Sequence, residues 1–488
     1  MKPTDTQSTD HFFTAFRNWI SLTGLVILSG GLFSFLLLFG IDSTAHFSNP
    51  YVGILTYFIA PAFMIAGVGL FFLGGFLRRR KLIRAQGIIP LKIDLAHPRD
   101  RRILAIFIPC SVLFLLVSAF GVYHSYHYTE SVQFCGQACH TVMKPEMTTH
   151  QHSSHARIAC SECHIGPGAT WYVRSKLSGA YQVYATMADK YPRPIPTPVK
   201  NLRPAQDTCE QCHWPKKFIG NLDRTFNYFM GDETNTPYSI RLSLKVGGAD
   251  AARGPVGGIH WHVNPGRTIE YYAEDEARQK IPWVRVTDAR EGVTEYRSSK
   301  FTNSVPPGAV RTMDCMDCHN RPAHKYQSPE DAVNLALSLG SIDRSLPYIK
   351  TNALFILTQN YKNEADALSQ IDSFLKSHYP GKALDSTINT VQSIYTNNFF
   401  PEMKASWRNY PDNVGHKDWP GCFRCHDGKH KTADKKLAIK ASDCNTCHTI
   451  LAQGSGAELE KFTPGGQEFK HPGGEYDPSC TDCHTGGP

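Results

Sequence analysis

With 488 residues the chain has room for about two or three domains. Its formal charge is +8, but part of the Lys and Arg excess sits in one loop beside a hydrophobic span, so it does not read as a nucleic-acid-binding surface. Fourteen of its fifteen cysteines fall in seven pairs, each followed at once by histidine. This excludes a disulfide framework, which would not repeat one short spacing, and a zinc ribbon, which requires no histidine after each second cysteine.

In chain order, residues 1–15 are short and polar, and three apolar spans follow: Trp19–Gly40, Tyr51–Leu77 and Ile103–Tyr123. None contains a charged side chain, and each reaches the roughly 20 residues needed to cross a bilayer. The first is too long for a signal-peptide core and lacks a clear cleavage site, so it reads as retained. Cys110, the unpaired cysteine, lies inside the third span as a small apolar residue. The loop between spans two and three carries nine Lys or Arg, whereas the loop between spans one and two carries none. By the positive-inside rule the amino terminus and the basic loop are cytoplasmic, and everything after Tyr123 lies on the outer face of the membrane. Tyr123, Tyr126 and Tyr128 suit an interfacial aromatic belt. Residues 1–128 therefore read as a multi-pass anchor in the lipid bilayer.

The seven motifs follow. They are Cys135/Cys139/His140, Cys160/Cys163/His164, Cys209/Cys212/His213, Cys315/Cys318/His319, Cys422/Cys425/His426, Cys444/Cys447/His448 and Cys480/Cys483/His484. Two thiols that can add to haem vinyl groups, followed by an imidazole that can ligate iron, are the signature of covalent c-type haem attachment. The expectation is seven covalently bound c-type haems, whose propionates offset the basic excess. The outer face is also where apocytochromes c receive haem, in agreement with the loop charges.

The first three motifs occupy 129–220. After the second, WYVRSKLSGAYQVYATMADKY predicts an amphipathic helix beside the membrane, and the proline-rich 192–204 predicts an extended connector. Residues 221–327 predict a small β-rich insert ending in the fourth motif, with strands in YSIRLSLKV, GGIHWHV, TIEYYA and WVRVT. Residues 328–421 predict a helical spacer that starts at a Ser328 cap with Pro329 in the first helical position. Residues 422–488 hold the last three motifs. The fold class is mainly α: three transmembrane helices followed by a multihaem cytochrome c domain with a small β-rich insert.

Each motif histidine supplies one axial ligand, and a low-spin carrier needs a second. The best distal candidates are His155, His262, His324, His416, His430 and His471, all in loops or short segments near motifs. His260 and His262 would share one face of a strand, and which of them ligates iron stays open. His150, His152 and His378 are weaker, the last explained by a helix end. The first motif offers Met143, with Met147 in reserve.

A transmembrane helix running directly into a haem motif with a nearby methionine, then SxHxxxxCxxCH, resembles the NapC/NirT/NrfH family of membrane-anchored quinol dehydrogenases. The match covers mainly residues 103–215. The runs FCGQACHTVMKPE, CHIGPGATWYVRSKLSG and YPRPIPTPV, with the extra spans and motifs, are similar to a larger heptahaem branch over nearly the whole chain. The resemblance implies oxidation of membrane quinol, menaquinol in particular, near the first haem, with electrons passed to periplasmic c-type cytochromes in anaerobic or extracellular respiration. It also implies a lysine near the quinol pocket, matched by Lys176 in VRSKLSGA. The acidic residue about two turns later appears as Gln182 or is displaced to Asp189. The first motif departs from the family as CxxxCH rather than CxxCH, with its methionine three residues after the histidine rather than two.

Quinol oxidation requires an apolar slot and a route for protons. Lys176 would orient the quinol oxygen, and His124, His127 or Asp189 would relay protons. Two other classes are compatible with the motifs: a passive electron bridge for another quinol-oxidising subunit, and a membrane-bound multihaem terminal reductase, which needs an open axial position.

Overall fold

The computed structural model describes residues 16, 18–45, 60–85, 130–138, 140–166, 168–199, 202–247, 257–264, 266–440 and 444–472, with isolated residues between 95 and 128. The helices are α1 Trp19–Ala45, α2 Ala60–Ala85, α3 His140–Gln151, α4 Cys160–His164, α5 Ala169–Met187, α6 Ala205–Thr208, α7 Cys315–Cys318, α8 Pro329–Ser338, α9 Ile349–Leu357, α10 Glu364–His378 and α11 Asp385–Asn398. The strands are β1 Leu222–Phe229, β2 Pro237–Leu244, β3 Arg267–Tyr272, β4 Trp283–Asp288, β5 Gly292–Ser298, β6 Arg311–Thr312, β7 Phe399–Phe400, β8 Ala405–Ser406, β9 His430–Lys431 and β10 His448–Gly454. The fold is thus mainly helical with some sheet. Two compact units result, Met1–Cys135 with Ala159–Tyr184, and Gly136–Ile158 with Ala185–Pro488.

In the first unit, α1 and α2 are long and apolar enough to cross a membrane. They pack antiparallel through their small residues. A Cβ on Gly24 would strike the backbone of Phe71 and Gly67, and one on Gly67 would strike Leu28 and Gly24. The Ser21 hydroxyl donates to the Phe71 carbonyl at 2.9 Å. Close backbone approach through small residues is how helices associate where lipid removes the hydrophobic drive between them. Outward-facing Phe33, Leu36, Ile65, Phe72, Leu73 and Phe76 are exposed. The expected third span falls mostly outside the described residues. On α5, Leu177, Tyr181, Val183 and Tyr184 are also exposed, as suits a helix at an apolar boundary.

In the second unit, three strands pair in the order β1-β2-β10 and five in the order β6-β3-β4-β5-β9, all antiparallel. Strands that follow the fifth and sixth motifs therefore complete both sheets of the insert, with His448 opposite Leu244 and His430 opposite Ser298. The helical stretch builds its own core. Val333, Ile349, Leu357, Ile371, Leu375 and Val391 are fully buried, and each such side chain contributes about 1.5–3 kcal/mol by leaving water. Ser328 caps α8 as expected, its hydroxyl accepting from the Asp331 amide at 3.2 Å.

One predicted strand is absent. GGIHWHV contains a 3₁₀ turn, Ile259–Val263. Gly258 has φ +96°, and a Cβ there would collide with the Lys245 carbonyl. The chain reverses at this glycine instead of extending, so the period-two pattern read as a strand face does not apply.

Candidate haem centres

The chemistry of a CxxCH motif sets its local shape. Both thiols must reach one macrocycle edge, and the imidazole must follow. A single tight helical turn does this, because residues three apart lie nearly above one another. The second motif forms α4 and the fourth forms α7; the third, fifth and sixth contain 3₁₀ turns at Cys209–Gln211, Gly421–Arg424 and Cys444–Thr446. The turns close by amide donation from His213 to Cys209 at 2.8 Å, His319 to Cys315 at 2.7 Å and His426 to Cys422 at 3.0 Å.

The second cysteine of each motif is placed by the same turn. Cys163 lies on α4 with His164 as its last residue, and Cys163 is exposed. Cys212 is also exposed and ends its 3₁₀ turn by amide donation to the Cys209 carbonyl at 3.1 Å. Cys318 and Cys425 are half-buried. Cys447 is half-buried too, and its carbonyl accepts from the Lys245 amide at 2.8 Å, which ties the sixth motif to the end of β2.

The CxxxCH motif is approached differently, by a π-helical turn over Phe134–Ala138. A π turn is wider than an α turn by one residue, which takes up the extra residue of this motif. The Met147 thioether lies where a Cβ on Gly136 would be. Cys139 and the side chains of His140 and Cys444 lie outside the described residues. So does the whole seventh motif: the expected thiols Cys480 and Cys483 and the expected iron ligand His484 all fall past residue 472.

The fourth and fifth motifs are fastened together. Asp317 inside α7 is 2% exposed and accepts from the Tyr271 hydroxyl and from Arg278 at 2.9 Å. Its carbonyl accepts from Arg424 at 2.6 Å and Asn413 at 3.1 Å.

Among the described residues, the motif histidines His213, His319, His426 and His448 each face a histidine from elsewhere. The ring centres are 6.0 Å apart for His155 and His213, 6.4 Å for His260 and His319, 5.8 Å for His262 and His426, and 6.3 Å for His416 and His448. Two imidazoles bound to one metal through nitrogens at about 2.0–2.1 Å have centres about 6–6.5 Å apart. Three of the pairs fall in this range, and His262–His426 falls a few tenths of an ångström short of it. Three distal rings are also in the correct tautomer. His155 Nδ1 lies 3.1 Å from the Pro322 carbonyl, His262 Nδ1 lies 2.8 Å from the Ile259 carbonyl, and His260 Nδ1 contacts the Val246 carbonyl. A carbonyl only accepts, so Nδ1 carries the proton and the Nε2 lone pair is left for metal. Burial lowers the pKa of His262, His319, His426 and His448, and the facing histidine adds to this at His319 and His426. The neutral ring is the ligating form.

Other expected ligands show different contacts. His430 uses both nitrogens, Nδ1 against Asp427 at 2.8 Å and Nε2 against the Ile281 carbonyl at 2.6 Å, so this geometry leaves it no lone pair for iron. Asp427 raises its pKa despite the lowering effect of burial. His324 lies against His150, ring centres 6.1 Å apart, with Nδ1 3.0 Å from the Glu146 carbonyl. His471 packs edge-on against Phe469. Met143 is half-buried. His152 and His378 each hold a carbonyl of their own helix through Nδ1.

In the first unit, Lys176 on α5 forms an ion pair with Glu130, five residues before Cys135. The Glu130 side chain is 6% exposed and that of Lys176 34%. Burial raises the Glu130 pKa above the usual carboxylate range, even though Lys176 opposes the shift. The ammonium also lies 5.1 Å from the centre of the Tyr172 ring. Gln182 and Asp189, the other expected quinol-site residues, make contacts of their own. Gln182 is exposed and reaches Ser178 at 3.4 Å, while Asp189 is exposed and pairs with Arg193 at 2.6 Å.

Comparison with known proteins agrees with these motifs. Residues 97–194 match the model of the NapC/NirT cytochrome c family, N-terminal region. The cytochrome c-type protein ImcH of Geobacter sulfurreducens is 39% identical over 491 residues, covering 96% of this chain and 95% of that protein. The chain belongs to the NapC/NirT cytochrome c family. No solved structure matches. Membership implies covalently bound c-type haem, and with α1 and α2 it supports a membrane-anchored electron-transfer protein. In this NapC/NirT cytochrome, Glu130, His155 and Lys176 lie within the matched stretch, whereas His260, His262 and His416 lie beyond it. Sequence reasoning missed Glu130. The available signal was an acidic residue just past an apolar span, where burial is costly without a role.

Proposed function

We propose that this cytochrome is an inner-membrane quinol dehydrogenase that oxidises menaquinol and delivers electrons to periplasmic c-type cytochromes. The observation that carries the reading is the buried Glu130–Lys176 pair beside the first motif, in the unit that also holds the apolar helices α1 and α2. The seven motifs would attach seven haems, the second through Cys160 and Cys163, the third through Cys209 and Cys212, the sixth through Cys444 and Cys447, and the seventh through Cys480 and Cys483 with His484 on its iron. His155 and His213 would hold the third iron and His416 and His448 the sixth. When bound, c-type haem supplies one-electron redox chemistry.

The chain's own residues do the rest. Oxidation of a quinol to a quinone releases two electrons and two protons, so a group must take protons as electrons leave. Lys176 can donate a hydrogen bond to a quinol oxygen and place it beside Glu130. The Glu130 carboxylate can then accept the hydroxyl proton, which its raised pKa suits better than an ordinary carboxylate's. Tyr172 and the exposed apolar side chains of α5 supply the kind of surface an isoprenoid quinol needs.

Lys176→Ala tests this. With covalent haem content unchanged, reduction by a menaquinol analogue should fall by at least tenfold while reduction by dithionite stays the same. An unchanged quinol rate contradicts the assignment.

A further inference from the structure

We infer that the Ile259–Val263 turn is a two-haem clamp, in which His260 supplies the distal ligand of the iron held by His319, and His262 that of the iron held by His426. The inference rests on the c-type haem reading of the fourth and fifth motifs and is independent of quinol oxidation.

Four observations converge on it. Each ring faces its own motif histidine, at 6.4 Å for His260, within the one-metal range, and at 5.8 Å for His262, a few tenths of an ångström short of it. The 3₁₀ geometry explains how neighbours in sequence serve two sites. At about three residues per turn, positions two apart point about 120° from each other, so the two side chains diverge where a strand would have aligned them. Both rings donate Nδ1–H to backbone carbonyls, of Val246 and Ile259, which leaves both Nε2 lone pairs directed outward. The turn is also rigidly held. Gly258 at φ +96° starts it, Trp261 packs with the Ile269–Tyr271–Val284 cluster that includes Cys425, and Arg267 stacks on Trp261 at 4.7 Å.

The consequence is mechanical as well as chemical. The fourth and fifth motifs are already tied to each other where Arg424 donates to the Asp317 carbonyl at 2.6 Å. A single three-residue segment, His260-Trp261-His262, joins the two distal positions. The clamp therefore fixes the fourth and fifth haem sites to each other from both sides. It also replaces His430 as the source of a ligand.

The test uses the full-length protein, purified in detergent and oxidised, with low-spin and high-spin haems counted by electron paramagnetic resonance and covalent haem counted by mass. His260→Ala and His262→Ala should each convert one haem to high spin, the double variant should convert two, and added imidazole should restore low spin. His430→Ala should convert none. His260→Met and His262→Met, which keep a ligand and so protect maturation, should each give one haem with the near-infrared methionine–iron transition. Full low-spin counts in the alanine variants together with no methionine signal overturn the clamp. Peptides of the fourth or fifth motif recovered without haem overturn both the clamp and the haem reading it rests on.

Discussion

Glu130→Gln is the most informative substitution in the proposed quinol site, because it removes a charge without changing volume. The side chain is 6% exposed, so bulk water has little access to take over as proton acceptor. Removal of a positioned proton acceptor costs about 10²–10⁴-fold in rate, about 3–5 kcal/mol of barrier. The effect on stability should be far smaller. Lys176 is 34% exposed and can turn to solvent, so losing the pair costs within about 1 kcal/mol. The sign of the pH dependence follows from the raised pKa. Ionising Glu130 is harder in the folded state than in the unfolded state, so the native protein loses stability as pH rises from the ordinary carboxylate range through the raised value. The glutamine variant lacks that loss. Activity runs the other way, since only the ionised carboxyl accepts a proton. Stopped-flow reduction by a menaquinol analogue should therefore accelerate through the raised pKa in the native protein and stay flat there in Glu130→Gln. Lys176→Ala should move the rising limb to higher pH, because the unpaired carboxyl is harder still to ionise. A Glu130→Gln protein with the native rate and profile would refute the reasoning.

Three further outcomes follow from packing. Gly258→Ala puts a Cβ against the Lys245 carbonyl at φ +96°, so it should cost about 1–3 kcal/mol and add high-spin character at two haems together, read by electron paramagnetic resonance. Tyr271→Phe deprives the buried Asp317 of one donor while Arg278 remains, and should lower stability by about 1 kcal/mol in a denaturant titration. Ile371→Ala empties part of a fully buried core and should cost about 2–5 kcal/mol, seen as a lower melting temperature with covalent haem content unchanged.

What could be read from sequence was the part governed by local rules. Motif spacing located the tight turns that bring Cys163 and Cys212 next to their partner cysteines. The Ser328–Pro329 pair marked the start of α8, and alternation in YSIRLSLKV and WVRVT marked β2 and β4. What could not be read depends on residues distant in the chain. His155 precedes the second motif yet faces His213 of the third, and His416 precedes the fifth yet faces His448 of the sixth. A haem lies between ligands that come from different elements, so proximity in sequence is a poor guide to distal partners. GGIHWHV failed for a backbone reason: alternation suggested a strand, but Gly258 at positive φ turns the chain and separates the two histidines. Glu130 was missed because a lone acid carries no motif; its place just past an apolar span hinted at a role, and its burial against Lys176 identifies it.

The central claim is that this one polypeptide takes electrons from quinol. The direct measurement is anaerobic mixing of the purified protein, with no other subunit, with excess menaquinol analogue, while the reduced haem absorbance is followed and compared with full reduction by dithionite. The account predicts reduction on the millisecond-to-second scale of enzymatic turnover, reaching haems beyond the first. A protein that dithionite reduces fully but quinol leaves oxidised would contradict it and would identify the chain as a relay for a quinol-oxidising partner.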